Sequence, residues 1–144
     1  MTAEAVAPLA MAGLSIPDHV AGELLAHARA VLPNEACGLL AGDPATGRAT
    51  SYHPARNAND SPLRYDVHPE DLVRIVFAIE SAGDELIAIF HSHTRTPAVP
   101  SAADLRDAAY PVLHLLAGLG GADPVLRAWR IDSGSASEVP LRIG

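Results

Sequence analysis

Apolar residues recur along the chain with two periods. Val20, Leu24, Ala28, Val31 and Leu32 share one helical face. Pro17 and Asp18 suit the first turn of that helix, and Pro33 ends it. His27 lies off the stripe and reads as solvated. Leu72, Ile75, Val76 and Ile79 repeat the i, i+3, i+4, i+7 spacing. His68-Pro69-Glu70-Asp71 starts this second helix and Gly83 stops it. Shorter apolar runs bounded by turn formers predict strands over 35–42, 48–54, 63–67, 112–117, 125–131 and 138–143, with a short edge strand at Leu14 to Ile16. Residues 102–109 have the composition of a short helix. Glu85 to His91 is almost continuously apolar, as befits a strand central in a sheet covered on both faces. The pattern predicts one α/β domain over residues 14–144, a mixed β-sheet flanked by helices, behind a flexible tail over residues 1–13.

Composition narrows the partners. With 144 residues, 49% of them hydrophobic, the chain can bury a sizeable core without staples. Its net charge of −7 opposes binding to a phosphate backbone, so no nucleic acid is expected. No run approaches the ~18 apolar residues of a membrane span. No Lys or Arg precedes Arg29, so a basic leader is absent and the expected address is cytoplasmic. The single cysteine, Cys37, excludes an internal disulfide and a thiolate-rich metal site. It is either an inert buried thiol or part of a groove wall.

The candidate chemistry sits where the Glu85–His91 run meets a proline-containing loop. His91 and His93 are two residues apart, so in an extended chain both imidazoles face one side, roughly 6–7 Å from each other. Asp104 follows His93 by eleven residues and adds a carboxylate once the loop turns back. Two histidines and one carboxylate form a catalytic zinc shell with one position left for water. Ser101 and Asp104 also have the spacing of a helix capping box, which is compatible with ligation. A zinc deaminase is excluded, because that chemistry needs a Pro-Cys-x-x-Cys ligand pair. Arg95, inside the loop, is either an ordinary exposed arginine or a contact for an acidic substrate or a C-terminal carboxylate. His19, His27, His53, His68 and His114 lack partners at ligand spacing and receive no role.

His91-Ser92-His93, seven residues, Ser101, two residues and Asp104, with Glu35 upstream in Asn34-Glu35-Ala36-Cys37-Gly38, resembles the signature of the JAMM (MPN-plus) metalloproteases. The likeness extends to the Asn57–Tyr65 loop and to Pro69-Glu70-Asp71-Leu72, and it covers about residues 14–131. It is closest to the short bacterial members, among them a hydrolase that releases cysteine from a sulfur-carrier protein. The insertions that larger members use to grip polyubiquitin have no room here. The resemblance implies the JAMM/MPN fold, related to that of cytidine deaminases, and one Zn2+ per chain held by His91, His93 and Asp104. It implies Glu35 as general acid/base and Ser101 as the hydroxyl that hydrogen-bonds the oxyanion. The implied partner is a ubiquitin-like or sulfur-carrier protein ending in Gly-Gly. Two reactions are open: release of an amino acid such as cysteine, or cleavage of an isopeptide bond to lysine. A non-catalytic scaffold of the same fold is the alternative that retention of every motif residue opposes. A homodimer stays open.

Overall fold

In the computed structural model, which describes residues 11–144, alternate residues of the central strands feed two separate cores, one on each face of a single sheet. The strands are β1 (Leu14–Ile16), β2 (Cys37–Asp43), β3 (Arg48–Ala55), β4 (Glu85–His93), β5 (Leu113–Gly118), β6 (Val125–Asp132), β7 (Ser135–Val139) and β8 (Leu141–Ile143). The helices are α1 (Asp18–Ala30), α2 (Pro69–Ser81) and α3 (Ala102–Asp107). On one face Leu40, Ala88, Phe90, Leu113 and Leu115 pack with Val20, Leu24 and Ala28 of α1. On the other, Cys37, Leu39 and Ala41 pack with Ile75 and Ile79 of α2. The expected mixed sheet flanked by helices is the observed architecture.

The strand order is β7-β6-β5-β4-β2-β3-β1-β8. β4 lies at the centre, antiparallel to β2 and parallel to β5. Glu138 to Ile143, read as one strand, is two: Pro140, which lacks an N–H to donate, separates β7 from β8. These two strands occupy opposite edges of the sheet, so the sheet curls until its edges approach each other at Pro140. The Pro140 carbonyl accepts a hydrogen bond from Leu14 N–H at 2.9 Å. β1 is therefore not an edge strand, because β8 pairs with it on the side away from β3. Of the expected tail, residues 1–10 lie outside the described residues. Met11 is buried, and its carbonyl accepts from the Arg130 guanidinium.

Other boundaries shift for local reasons. The helix expected to reach Ala109 stops at Asp107, short of Pro111, whose ring disfavours helical conformation just before it. His27 is not simply solvated: its Nδ1 lies 2.6 Å from the Tyr52 hydroxyl. Tyr52 in turn lies over Gly38, where any Cβ would collide with its ring, and meets Phe90 edge-on at 5.6 Å. Among the described residues no helix is long and apolar enough to cross a membrane.

The segment over 63–67 forms no strand, only an isolated bridge between Asn57 and Val67. Side chains organise this loop instead. Asn57 Nδ2 donates to Arg64 O, while its Oδ1 accepts from the N–H groups of Asn59 and Asp66. At the base of the loop, the buried Asp71 carboxylate on α2 accepts three hydrogen bonds from Arg56: from the backbone N–H, Nε and Nη2, at 2.8, 3.0 and 3.0 Å. These bonds hold the Asp71 carboxyl well below the usual carboxylate range. A depressed carboxylate pKa stabilises the fold above the unfolded-state value and loses that contribution as pH falls. Asp71→Asn is expected to lower the melting temperature at pH 7 by several degrees, with the gap to wild type narrowing as pH drops below about 4. Melting curves at stepped pH check this, and a pH-independent gap would show that the charge is not what holds the loop.

Candidate metal centre

His91 and His93 are consecutive inward residues at the C-terminal end of β4, and both are buried. Their Nε2 atoms lie 3.2 Å apart. Asp104 Oδ2 completes a near-equilateral triangle, 3.2 Å from His91 Nε2 and 3.1 Å from His93 Nε2. Three ligands of a tetrahedral Zn2+ at ~2.0–2.2 Å would lie about 3.3–3.6 Å apart, so this donor set fits a small divalent ion. Of the His, Cys, Asp and Glu side chains among the described residues, this is the group that can hold a metal.

Each ligand is oriented by a neighbour. His93 Nδ1 lies 2.8 Å from the Pro97 carbonyl, which accepts the Nδ1 proton and leaves the Nε2 lone pair for a metal. The proline-containing loop after β4 is thus part of the site, through a backbone oxygen. The Tyr65 ring stacks on His91 with centroids 4.2 Å apart and 19° between planes. Asp104 is held by the capping box at the start of α3: Ser101 N–H donates to Asp104 Oδ2 at 2.9 Å, and Asp104 N–H donates to Ser101 Oγ at 3.1 Å. One oxygen, Oδ2, serves both the cap and the triangle. The Ser101 hydroxyl, accepting from Asp104 N–H, keeps its own proton free to donate.

Electrostatics follow from this crowding. Burial opposes charge on Asp104, but hydrogen bonds from both histidines and from Ser101 outweigh it and hold the carboxyl well below its usual range. Burial likewise opposes charge on His93, yet Asp104 and the Pro97 carbonyl raise its pKa. The fully buried His91 moves the other way, because desolvation dominates there.

Glu35 lies just before β2 and is 5% exposed. Its N–H donates to Ser61 O at 2.8 Å, and its carbonyl accepts from Asn57 Nδ2 at 3.2 Å. Ser92, between the two histidines and on the opposite face of β4, grips the next residue from both sides. Ser92 Oγ accepts from Ala36 N–H at 2.8 Å, and Ser92 N–H donates to Ala36 O at 3.1 Å. The side chain of Glu35 feels the charges of His93 and Asp104, and desolvation chiefly raises its pKa to about 7. Sequence spacing had no means of bringing Glu35 to the metal ligands; the β2–β4 register, which sets Cys37 opposite His91, does so.

Cys37 is buried with its Sγ against the carbonyls of Arg56 and Ala55, and burial first, then nearby carboxylates, push its thiol up to about 12. It is the inert thiol rather than a groove contact. Arg95 is exposed and lines a separate cavity of about 420 Å3 with Gly118, Gly120, Asp123 and Arg127. Sequence reasoning overlooked Tyr65, Ser92 and the Pro97 carbonyl. Of these only Ser92 had a signal, its place between the histidines.

A curled mixed sheet with a His-His-Asp triangle at the end of its central strand is the arrangement of a JAB/MPN-type domain. The chain belongs to the family of prokaryotic homologs of the JAB domain, whose model matches residues 17–132. It is 36% identical over 123 residues to the CysO-cysteine peptidase of Mycobacterium tuberculosis, covering 83% of this chain and 84% of that protein. It is 40% identical over 103 residues to the desampylase of Haloferax volcanii, covering 68% and 74% respectively. Among solved structures, a protein from Desulfitobacterium hafniense superposes with a TM-score of 0.84 at 32% identity, over 91% of this chain and 92% of the other. A JAB1/MPN domain protein from Archaeoglobus fulgidus shares the fold, with a TM-score of 0.60 at 17% identity over 90% and 98% of the two chains.

His93→Ala is expected to lose more metal affinity than the roughly 10–100-fold that removal of an outer-sphere partner costs. Elemental analysis after metal loading and dialysis reads this directly. Normal metal content in the variant would place the ion elsewhere.

Proposed function

We propose that this protein is a zinc-dependent peptidase that cuts the amide bond after the C-terminal Gly-Gly of a sulfur-carrier or ubiquitin-like protein, releasing cysteine. The observation that carries the reading is the triangle of His91 Nε2, His93 Nε2 and Asp104 Oδ2 beside a buried carboxyl, Glu35. The substrate class rests on the relatives, a CysO-cysteine peptidase and a desampylase. His91, His93 and Asp104 would hold the zinc, which would supply Lewis acidity and bring the pKa of water near neutrality.

The protein's own groups do the rest. Glu35 accepts the proton of the attacking water on its carboxylate and passes it to the departing amine nitrogen. A carboxyl near neutrality suits both transfers, because general acid–base catalysis is most effective when the pKa approaches the working pH. The Ser101 hydroxyl, whose proton is not used in the cap, donates to the carbonyl oxygen of the scissile bond as negative charge grows there. Donors of this kind are typically worth about 3 kcal/mol in the transition state. Tyr65 covers one face of His91, and its phenol is held neutral, chiefly by burial. A cytoplasmic location fits this work.

A second reading, cleavage of an isopeptide bond between such a carrier and a lysine, is favoured by the likeness to the desampylase. Mass spectrometry after incubation of the zinc-loaded protein with CysO–cysteine, and in parallel with a carrier–lysine isopeptide conjugate, separates the two. Release of cysteine is the expected result; cleavage of the isopeptide alone selects the second reading, and cleavage of neither removes both. Glu35→Gln should keep its zinc while turnover falls by roughly 100-fold or more, in line with the loss of a general acid/base. Near-normal turnover in that variant would take Glu35 out of the chemistry.

A further inference from the structure

His114 is the buried histidine that the chemistry above leaves unused. It stands on β5 opposite Ile89 of β4, on the same sheet face as His91 and His93. It is 2% exposed, and neither ring nitrogen has a hydrogen-bond partner. Among the described residues it is the one buried side chain with every polar atom unpaired. An apolar side chain of similar size would avoid the penalty of burying an unpaired donor and acceptor.

The position of this imidazole gives it something to pair with. His114 lines a cavity of about 450 Å3 that also borders the metal centre, since Asp104 and Tyr65 form part of its wall. Leu72, Ile89 and Ala108 give the cavity apolar wall, and Asn59, Arg64, Asp66 and Asp107 add polar and charged groups. Polar groups set among apolar walls are how binding sites fix the orientation of what they take. Burial first, and His91 next, pull the His114 pKa down to about 4, so the ring is neutral at pH 7 and offers one N–H donor and one acceptor. A neutral donor–acceptor pair matches the N–H and C=O of peptide groups better than the free carboxylate of a departing amino acid. The cavity, which Asn59 and Tyr110 also line, is large enough for more than one residue of an extended chain.

The geometry points to His114 as a specificity-determining residue that hydrogen-bonds the main chain of the carrier's C-terminal tail in the cavity beside Asp104. The inference rests on the proposed carrier-protein substrate.

Two measurements on the zinc-loaded full chain test it. In the first, unconjugated CysO is titrated into the 15N-labelled protein while long-range 1H–15N spectra follow the histidine rings. The His114 nitrogens are expected to shift on binding; binding that leaves them in place overturns the inference, and so does the absence of binding. In the second, His114→Leu and His114→Gln are compared with wild type on CysO–cysteine. His114→Leu should raise KM about 10-fold with kcat within about twofold, zinc content unchanged and melting temperature equal or higher. His114→Gln, which keeps a donor and an acceptor, should recover most of the lost affinity. Wild-type kinetics in His114→Leu, or loss of zinc from it, would overturn the assignment. If wild-type protein binds CysO through His114 yet releases nothing, the proposed reaction fails while the pocket assignment stands.

Discussion

The site depends on the double backbone-and-hydroxyl link between Ser92 and Ala36. β4 presents His91 and His93 to one face and Ser92 to the other, so a single strand both carries two metal-ligand candidates and fixes the segment bearing Glu35. Alternation with period two makes this possible, because a hydroxyl between two inward side chains must point away from them. Glu35 lies outside regular structure and would otherwise be free to leave a site that penalises its charge. Ser61 and Asn57 add to the hold from the loop above. A carboxyl pinned through its backbone on three sides can tolerate the desolvation that lifts its pKa towards 7.

Asp104 solves a related problem in a different way. A buried carboxylate near two imidazoles needs donors, and the first turn of α3 provides one through Ser101 N–H. The helix is only six residues long and buries no apolar side chain, so packing contributes little to holding it. The capping box and the hydrogen bonds from His91 and His93 to Asp104 take on that task. The same economy appears at His93, whose orientation comes from a carbonyl four residues along the chain rather than from another side chain.

Much of the scaffold was legible in sequence, and the reasons are local. The α2 stripe, the apolar β4 run and the His-x-His spacing all express a geometry repeated within a few residues. The triangle of ligand atoms was readable because β4 alternation and a capping box each need only short-range information. What escaped reading depends on tertiary contacts. The 56–68 loop has the β-branched and aromatic content of a strand at its end, but Asn57 and Asp71 consume its hydrogen bonds. The division at Pro140 follows from how far the sheet curls, and the relevance of His114 follows from the parallel pairing of β4 with β5. Nothing in the neighbourhood of either residue in the chain announces those long-range partners.

The meeting of the two sheet edges has a consequence for how the molecule forms. Leu14 of β1 pairs with Leu141 of β8, so the strand nearest one end of the described chain is completed by the strand nearest the other. Between them lie all the elements that build the His-His-Asp triangle. Contacts of such sequence separation carry a high loop-closure entropy and slow the approach to the native state. The central β2–β4–β5 layer, which carries His91 and His93, closes over shorter stretches of chain. The β1–β8 pairing spans almost the whole described chain, so the core that Leu14, Ile16 and Leu141 help to fill is sealed only when both ends are in place.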